Sequence, residues 1–352
     1  MKIYILPIDS QFQPETSRLL HPPHNSDYGV EQDFFQYLHR NPQLVTDNPN
    51  EADWHYLPVY WTRYYINHNL GETDLSELQQ SVNHSILSDS KTFTICQYDD
   101  GPLVNLGATI NFLSSRRTEA GVDIPLLCSS HRIPEVKPSK KYLTTFMGFL
   151  HHHSIRQEMF EAIKYRNDLC MATVSTEIFV ERTLESYVVL CPRGYGGSSF
   201  RFFESMELGV APLMISDIDT RPFKEFINWN EISLFTNSAT SLNNLLDSLN
   251  KSELLEMGQR AERFYKEKLC YQKWCTYVLE YLASLRTYAG STNMVSVSLL
   301  DKIDRHAKEA EAVWGLAYPL FGKAIANRNL KIGVEIGVAF GAIPNLFCKI
   351  HL

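Results

Sequence analysis

Long apolar runs are missing from this 352-residue chain: no stretch approaches the ~18 residues that a membrane-spanning helix needs. The first residues also lack the charged and apolar regions of a signal peptide, and Met1 to Pro7 reads instead as a first strand. Cysteines are few and scattered (96, 128, 170, 191, 270, 275 and 348). Their odd number gives no disulfide framework, and no paired metal-ligand spacing is read from them. A reducing cytoplasm is therefore the expectation, with peripheral contact to a membrane surface left open. Dense lysine and arginine clusters are absent too. Together with a net charge of −7, this argues against a nucleic-acid binder. What remains is 44% hydrophobic and 21% charged, the balance of an ordinary globular protein long enough for two cores.

The most informative stretch runs from Ser186 to Glu231. Val188 to Cys191 is a short apolar run fit for a buried parallel strand, broken by Pro192-Arg193-Gly194. Gly196-Gly197-Ser198-Ser199 is a flexible turn ending in two N-cap residues. Phe202, Phe203, Met206 and Leu208 then give an apolar stripe near helical spacing. Gly209 stops that helix, and Val210 to Ile215 is the next strand. A helix N-terminus behind a glycine/serine loop presents unpaired N–H groups and partial positive charge, so it suits phosphate. Arg193 and Arg201 add two guanidinium forks that match phosphate oxygens, and Glu204 lies one turn in, where a carboxylate can accept from ribose hydroxyls. The chemistry of these residues points to a nucleotide-diphosphate site.

These residues also resemble the exostosin-like glycosyltransferases, glycosyltransferase family 47. The resemblance rests on Arg193, Ser199, Arg201, Glu204, Gly209, Pro212, Asp217, Pro222, Phe223 and Trp229. It extends to Tyr142 through Gly148, similar to the family's Phe-x-Gly strand, with Arg156 following a polar loop. Upstream, Asn48-Pro49-Asn50-Glu51-Ala52-Asp53 leads into Pro58-Val59-Tyr60-Trp61, like the turn and strand of the family's N-terminal half.

The resemblance implies an α/β fold of GT-B type, with two Rossmann-like domains facing across a cleft. The N-terminal, acceptor-side domain would span 1–138 and the nucleotide-sugar domain 139–287, followed by a short incomplete segment at 288–352. It implies a donor, a UDP-sugar, held by Gly148, Arg156, Arg193, Ser198, Ser199, Arg201 and Glu204. The implied reaction is inverting transfer to a glycan or lipid-linked acceptor hydroxyl in cell-surface polysaccharide synthesis. Such folds need no cofactor or metal, because helix tip and arginines neutralise the leaving diphosphate. Lacking a membrane anchor, the chain reads as a bacterial-type relative.

Around this centre, Glu31 to Arg40 reads as an amphipathic helix, and Trp54 to Val59 and Thr92 to Gln97 read as strands. Tyr60 and Trp61, at a strand's carboxyl end, are candidates for stacking on sugar, with core packing the even alternative. Asp99 and Asp100 follow the second of these strands. Either is a candidate general base, with turn capping as the plainer role. Leu126 to Cys128 reads as a last strand and 133–141 as the hinge. The run His151-His152-His153 is not read as a metal site, since consecutive residues cannot all face one ion. Ser252 to Arg286 reads as two helices broken near Cys270, of the kind that pack back on the first domain in this fold type.

The tail differs. Ile332 to Ile336 with Glu335, Gly337 and Gly341 resembles the first strand and loop of class I methyltransferases that use S-adenosylmethionine, and reads as the start of a truncated module. Two other functions stand beside the transferase: a degenerate module that binds nucleotide or glycan without turnover, and a partial methyltransferase subunit.

Overall fold

Short apolar segments ending in polar turns become parallel strands in the computed structural model of the protein, which describes residues 1–16, 28–172, 176–285, 333–336 and 348–351. The first half is a five-stranded parallel sheet in the order β1-β2-β3-β4-β5. Its strands are Ile3–Ile5, Trp54–Leu57, Thr92–Cys96, Ile110–Leu113 and Val122–Asp123. Helix α1 (Val30–Arg40) crosses between β1 and β2. Acidic residues in its first turn and basic ones in its last complement the helix dipole. Its buried Val30, Phe34 and Leu38 recur at helical spacing. Glu31, also buried, accepts from Thr62 N and Oγ1 and from Gln97 N at 2.8–3.2 Å. Burial pushes that carboxyl up to about 7.

The second half is another five-stranded sheet, ordered β10-β9-β8-β6-β7 and parallel throughout. Its strands are β6 (Tyr142–Met147), β7 (Leu169–Ala172), β8 (Ser186–Pro192), β9 (Ala211–Ile215) and β10 (Leu234–Thr236). The chain goes from β6 to its neighbour on one side and then returns to the other side for β8. That reversal is the switch point outside which open α/β sheets bind ligands. The loops after β6 and β8 therefore share one crevice. Helix α6 (Phe200–Leu208) follows β8 and ends at Gly209, whose φ of 75° is the left-handed cap that glycine adopts without strain. Val188, Leu190, Leu213 and Ile215 of the sheet pack with Ile155, Met159 and Leu254 in one core. The two halves together are the GT-B arrangement.

The last helical stretch packs back across the first half, as the resemblance to this fold type implied, while α8 stays on the second. After α8 (Lys251–Phe264) and a wide turn at Tyr265–Leu269, residues 275–285 are helical again. Trp274 is buried against Phe34, and its Nε1 donates to Asp33 Oδ2 at 2.9 Å. Tyr281 meets Phe112 edge to face.

Several expectations shift. Tyr60 and Trp61 are not exposed platforms: Trp61 is fully buried, its Nε1 donating to Thr94 Oγ1, and it opens helix α2 (Trp61–Asn67). The sequence reading ended the strand at Val59 and assigned nothing to the residues after Trp61, where Trp61, Tyr64 and Tyr65 lie at helical spacing. Leu126 to Cys128 is extended but outside the sheet, whose last strands β4 and β5 come earlier. Helix α3 (Ser76–Ser85) was not anticipated either. Residues 284–352 form a separate unit. Within it β11 (Gly333–Ile336) pairs antiparallel with β12 (Cys348–His351). Gly337 and Gly341 of the methyltransferase-like loop lie outside the described residues.

Candidate active site

The loops that leave β3, β4, β6 and β8 converge on a cavity of about 370 Å³, within the size range of small-molecule sites. Ser198, Ser199 and Arg201 supply one wall, with Arg156 and His152 beside them. Asp99, Tyr98 and Thr62 supply the other. A second cavity of about 470 Å³ adjoins it, sharing Asp99 and Tyr195.

The donor-side wall is built around the N-terminus of α6. Ser199 has the extended backbone of an N-cap, yet its side chain makes no capping bond. Ser198 is 4% exposed, and its hydroxyl has no hydrogen-bond partner. A buried polar atom without a partner is costly, and this one lines the cavity. Arg201, two residues on, donates from Nε to Met147 O and reaches Ser199 Oγ at 3.5 Å. Arg156 donates to the carbonyls of Arg193, Phe149 and Pro192 at 2.8–3.4 Å. The partners of both guanidiniums are thus carbonyl and hydroxyl oxygens rather than carboxylates. Both lie over the ring of Phe146, at 5.3 Å for Arg201 and 5.9 Å for Arg156. Burial, followed by the like charge of Arg201, lowers Arg156 to about 10; burial lowers Arg201 as well. Two desolvated cations at a helix tip are stabilised by an anion between them.

Gly148 makes this packing feasible. Its φ of 156° lies at the edge of the glycine-favouring region, and a Cβ there would collide with Arg201 Nη2. Arg193 is employed differently: it pairs with Asp217 and donates to Gly196 O at 3.2 Å and Tyr195 O at 3.2 Å, shaping the loop from within. It lines the second cavity rather than the first. Glu204 lines neither; its Oε1 lies 2.7 Å from His131 Nε2. The sequence reading took an Asp-x-Asp motif to be absent from the strand ends, yet Asp217-Ile218-Asp219 follows β9 after a single residue, Ser216. Both carboxylates are taken by arginines there, Asp217 by Arg193 and Asp219 by Arg221 at 2.8 Å.

On the facing wall the two candidate bases separate. Asp100 is paired with Arg117 and accepts from Tyr195 Oη at 3.2 Å. Asp99, held by the Ser115 hydroxyl and the Gly196 N–H, lies on the boundary of both cavities. Desolvation there pushes it up to about 6. Around it stand residues that the sequence reading did not single out. Ser115 Oγ also accepts from Ser198 N at 3.2 Å, tying the two halves together. Arg117 stacks on Tyr195 at 4.0 Å, again across the halves. The missed signal was Ser114 to Arg117, polar and basic residues directly after β4, a strand that was itself overlooked.

Two parallel α/β sheets, with the N-terminus of α6 on one and the desolvated Asp99 on the other, make up a fold of the GT-B class. The family follows from sequence comparison: the Exostosin GT47 domain model matches residues 1–251, and the chain belongs to that family, which makes it a glycosyltransferase. The Exostosin-1 homolog of Caenorhabditis elegans is 23% identical over 317 residues, covering 75% of this chain and 80% of that protein. The probable β-1,4-xylosyltransferase IRX10L of Arabidopsis thaliana is 22% identical, covering 67% of each. Among solved structures, AviGT4, a glycosyltransferase involved in avilamycin A biosynthesis, aligns loosely. It has a TM-score of 0.34 at 10% identity over 79% of this chain and 98% of that one.

Proposed function

We propose that the protein transfers a sugar, with inversion, from a UDP-sugar to a hydroxyl of a glycan or lipid-linked acceptor, in the assembly of a cell-surface polysaccharide. The carrying observation is the pairing of the buried Arg156 with the half-buried Arg201, two desolvated cations hydrogen-bonded to carbonyl and hydroxyl oxygens, beside the partnerless Ser198 hydroxyl at the α6 N-terminus. An arrangement of this kind favours an anion that spreads charge over several oxygens, as a diphosphate does. The first turn of α6 and the two guanidiniums bind the leaving diphosphate and neutralise the charge that grows on it as the glycosidic bond breaks. Arg193 acts through the loop it shapes.

Asp99 takes the acceptor proton. Its carboxylate faces the helix tip across the cavity, and a base near 6 is basic enough to help yet ionised at neutral pH. The acceptor hydroxyl attacks the anomeric carbon from the face opposite the diphosphate, its proton passes to Asp99, and UDP leaves. The arginines and the helix tip supply the positive charge, so the reading requires no cofactor. The free thiols of the described cysteines fit a reducing, cytoplasmic setting.

Calorimetric titration with UDP tests the donor half of this reading. Binding is expected in the unmodified protein, and Arg201→Ala should weaken it by at least about tenfold, given the ~1.5–3 kcal/mol typical of a charged hydrogen bond. Equal affinity in the two proteins would remove the donor-site assignment. UDP release only when acceptor is present would separate turnover from mere nucleotide binding.

A further inference from the structure

Away from the cleft lining, three side chains of different chemistry meet in the interior. Cys128 and His131 stand three positions apart on the segment that leaves the first half, and Glu204 reaches them from α6. One ligand atom from each, the Cys128 sulfur, a His131 ring nitrogen and a Glu204 oxygen, lies within 4.8 Å of the other two. Cys128 and Glu204 are buried. The ring of His131 packs against Phe179, which limits its rotation. Its backbone N–H donates to Glu207 Oε2 at 3.3 Å. Glu207 is one helical turn beyond Glu204 and is buried as well.

Charge adds a second reason to look here. Two carboxylates one turn apart in an interior are expensive unless positive charge is near. Among the described residues, the basic groups near these carboxylates are His131, 2.7 Å from Glu204, Lys137 at the C-terminal end of the helix, and Arg201, whose charge also acts on Glu204. Lys137 is engaged with Leu208 O and Glu262 at 3.2 and 2.9 Å. Arg201, on the same helix, is committed to the cleft.

We propose that Cys128, His131 and Glu204 form a binding site for a divalent transition metal, with zinc the ion their chemistry suits. A thiolate, an imidazole nitrogen and a carboxylate are together the donor set of tetrahedral zinc, with bonds of about 2.0–2.3 Å. Tetrahedral angles at those lengths put ligand atoms ~3.3–3.8 Å apart. The 2.7 Å contact between His131 and Glu204 therefore has to open by less than about 1 Å, and the sulfur has to close in by a similar amount. The fourth position is left to water. Glu207 accepts from the backbone N–H of His131 and so holds the chain that carries the imidazole against α6. The ion would pin the segment between the two sheets to the helix whose first turn forms the donor wall. Its role is structural and independent of the chemistry at the diphosphate.

Cobalt(II) replaces zinc and reports on its ligands, so the test titrates untagged full-length protein with cobalt(II) and follows absorbance. One equivalent should bind with a near-ultraviolet thiolate-to-cobalt band and the strong visible bands of four-coordination. Cys128→Ser should lose the ultraviolet band and weaken binding by at least about a hundredfold, since even supporting residues cost 10–100-fold. Zinc should displace the cobalt and raise the unfolding temperature. The exposed His151 and His152 could also take cobalt, though without a thiolate band. A spectrum lost in a His151→Ala/His152→Ala variant but kept in Cys128→Ser would overturn the proposal. So would the absence of any thiolate band in the unmodified protein, an outcome that does not depend on whether the cysteine variant folds.

Discussion

Asp99 shows how one residue's surroundings set its chemistry. Its neighbour Asp100 is paired with Arg117 and hydrogen-bonded by Tyr195, whereas Asp99 sits in a desolvated corner, held by Ser115 and Gly196, with the charges of Asp100 and Arg117 acting on it in opposite senses. A base works only when deprotonated, so kcat/KM should fall on the acid side with an apparent pKa near 6, measurable with a pH series at fixed UDP-sugar. Asp99→Asn should cut turnover by about 10²–10⁴ while leaving UDP affinity unchanged. The same residue carries a stability cost. Its folded pKa is raised above the unfolded value, so its contribution is favourable below about pH 4 and is lost as pH rises through 6. Asp99→Asn should therefore raise the melting temperature at pH 8 and leave it nearly unchanged at pH 4. Each ~1 kcal/mol recovered is worth roughly 2–4 °C. Equal shifts at both pH values would show that the carboxyl is not held up by burial.

At the scale of elements, the unit β8–α6–β9 carries the donor wall and depends on a neighbour, β6, for room. Gly148→Ala should push the Arg201 guanidinium off Met147 O and weaken UDP binding about as much as removing the arginine, with the sheet intact by circular dichroism. Retained affinity would mean that the guanidinium does not set the anion's position. This unit was legible in the sequence because each of its parts is local: an apolar run, a glycine/serine turn, a 3.6-residue stripe and a capping glycine. Other parts were not. Strand β4, Ile110–Leu113, holds Asn111 and is too short for a pattern to stand out. Helix α2 hid in an aromatic-rich segment whose composition favours strands. The partners of Arg193 and Glu204 could not be read at all, because Asp217 and His131 reach them through the fold rather than along the chain. Sequence chemistry named the arginines as phosphate ligands; tertiary contact divided them into two that face the first cavity and one that braces the loop.

For the molecule as a whole, the return of the last helical stretch matters most. Trp274 joins Phe34 and Asp33 in a buried contact far from the donor wall. Trp274→Ala should destabilise the fold by about 3–5 kcal/mol, read as a lowered urea midpoint. A larger deficit is expected if Asp33 is left buried with one donor fewer. UDP affinity under native conditions should not change. A midpoint within error of the unmodified protein would mean that this stretch rests loosely on the first half.

Because the backbone passes from the first sheet to the second near residues 124–141 and comes back near residue 270, the halves share a double tether. Any change in the separation of the halves has to bend the chain at both crossings and break the bonds from Ser198 N to Ser115 Oγ and from Gly197 N to Arg116 O. The spacing of Asp99 and the α6 tip is therefore fixed at three places rather than one.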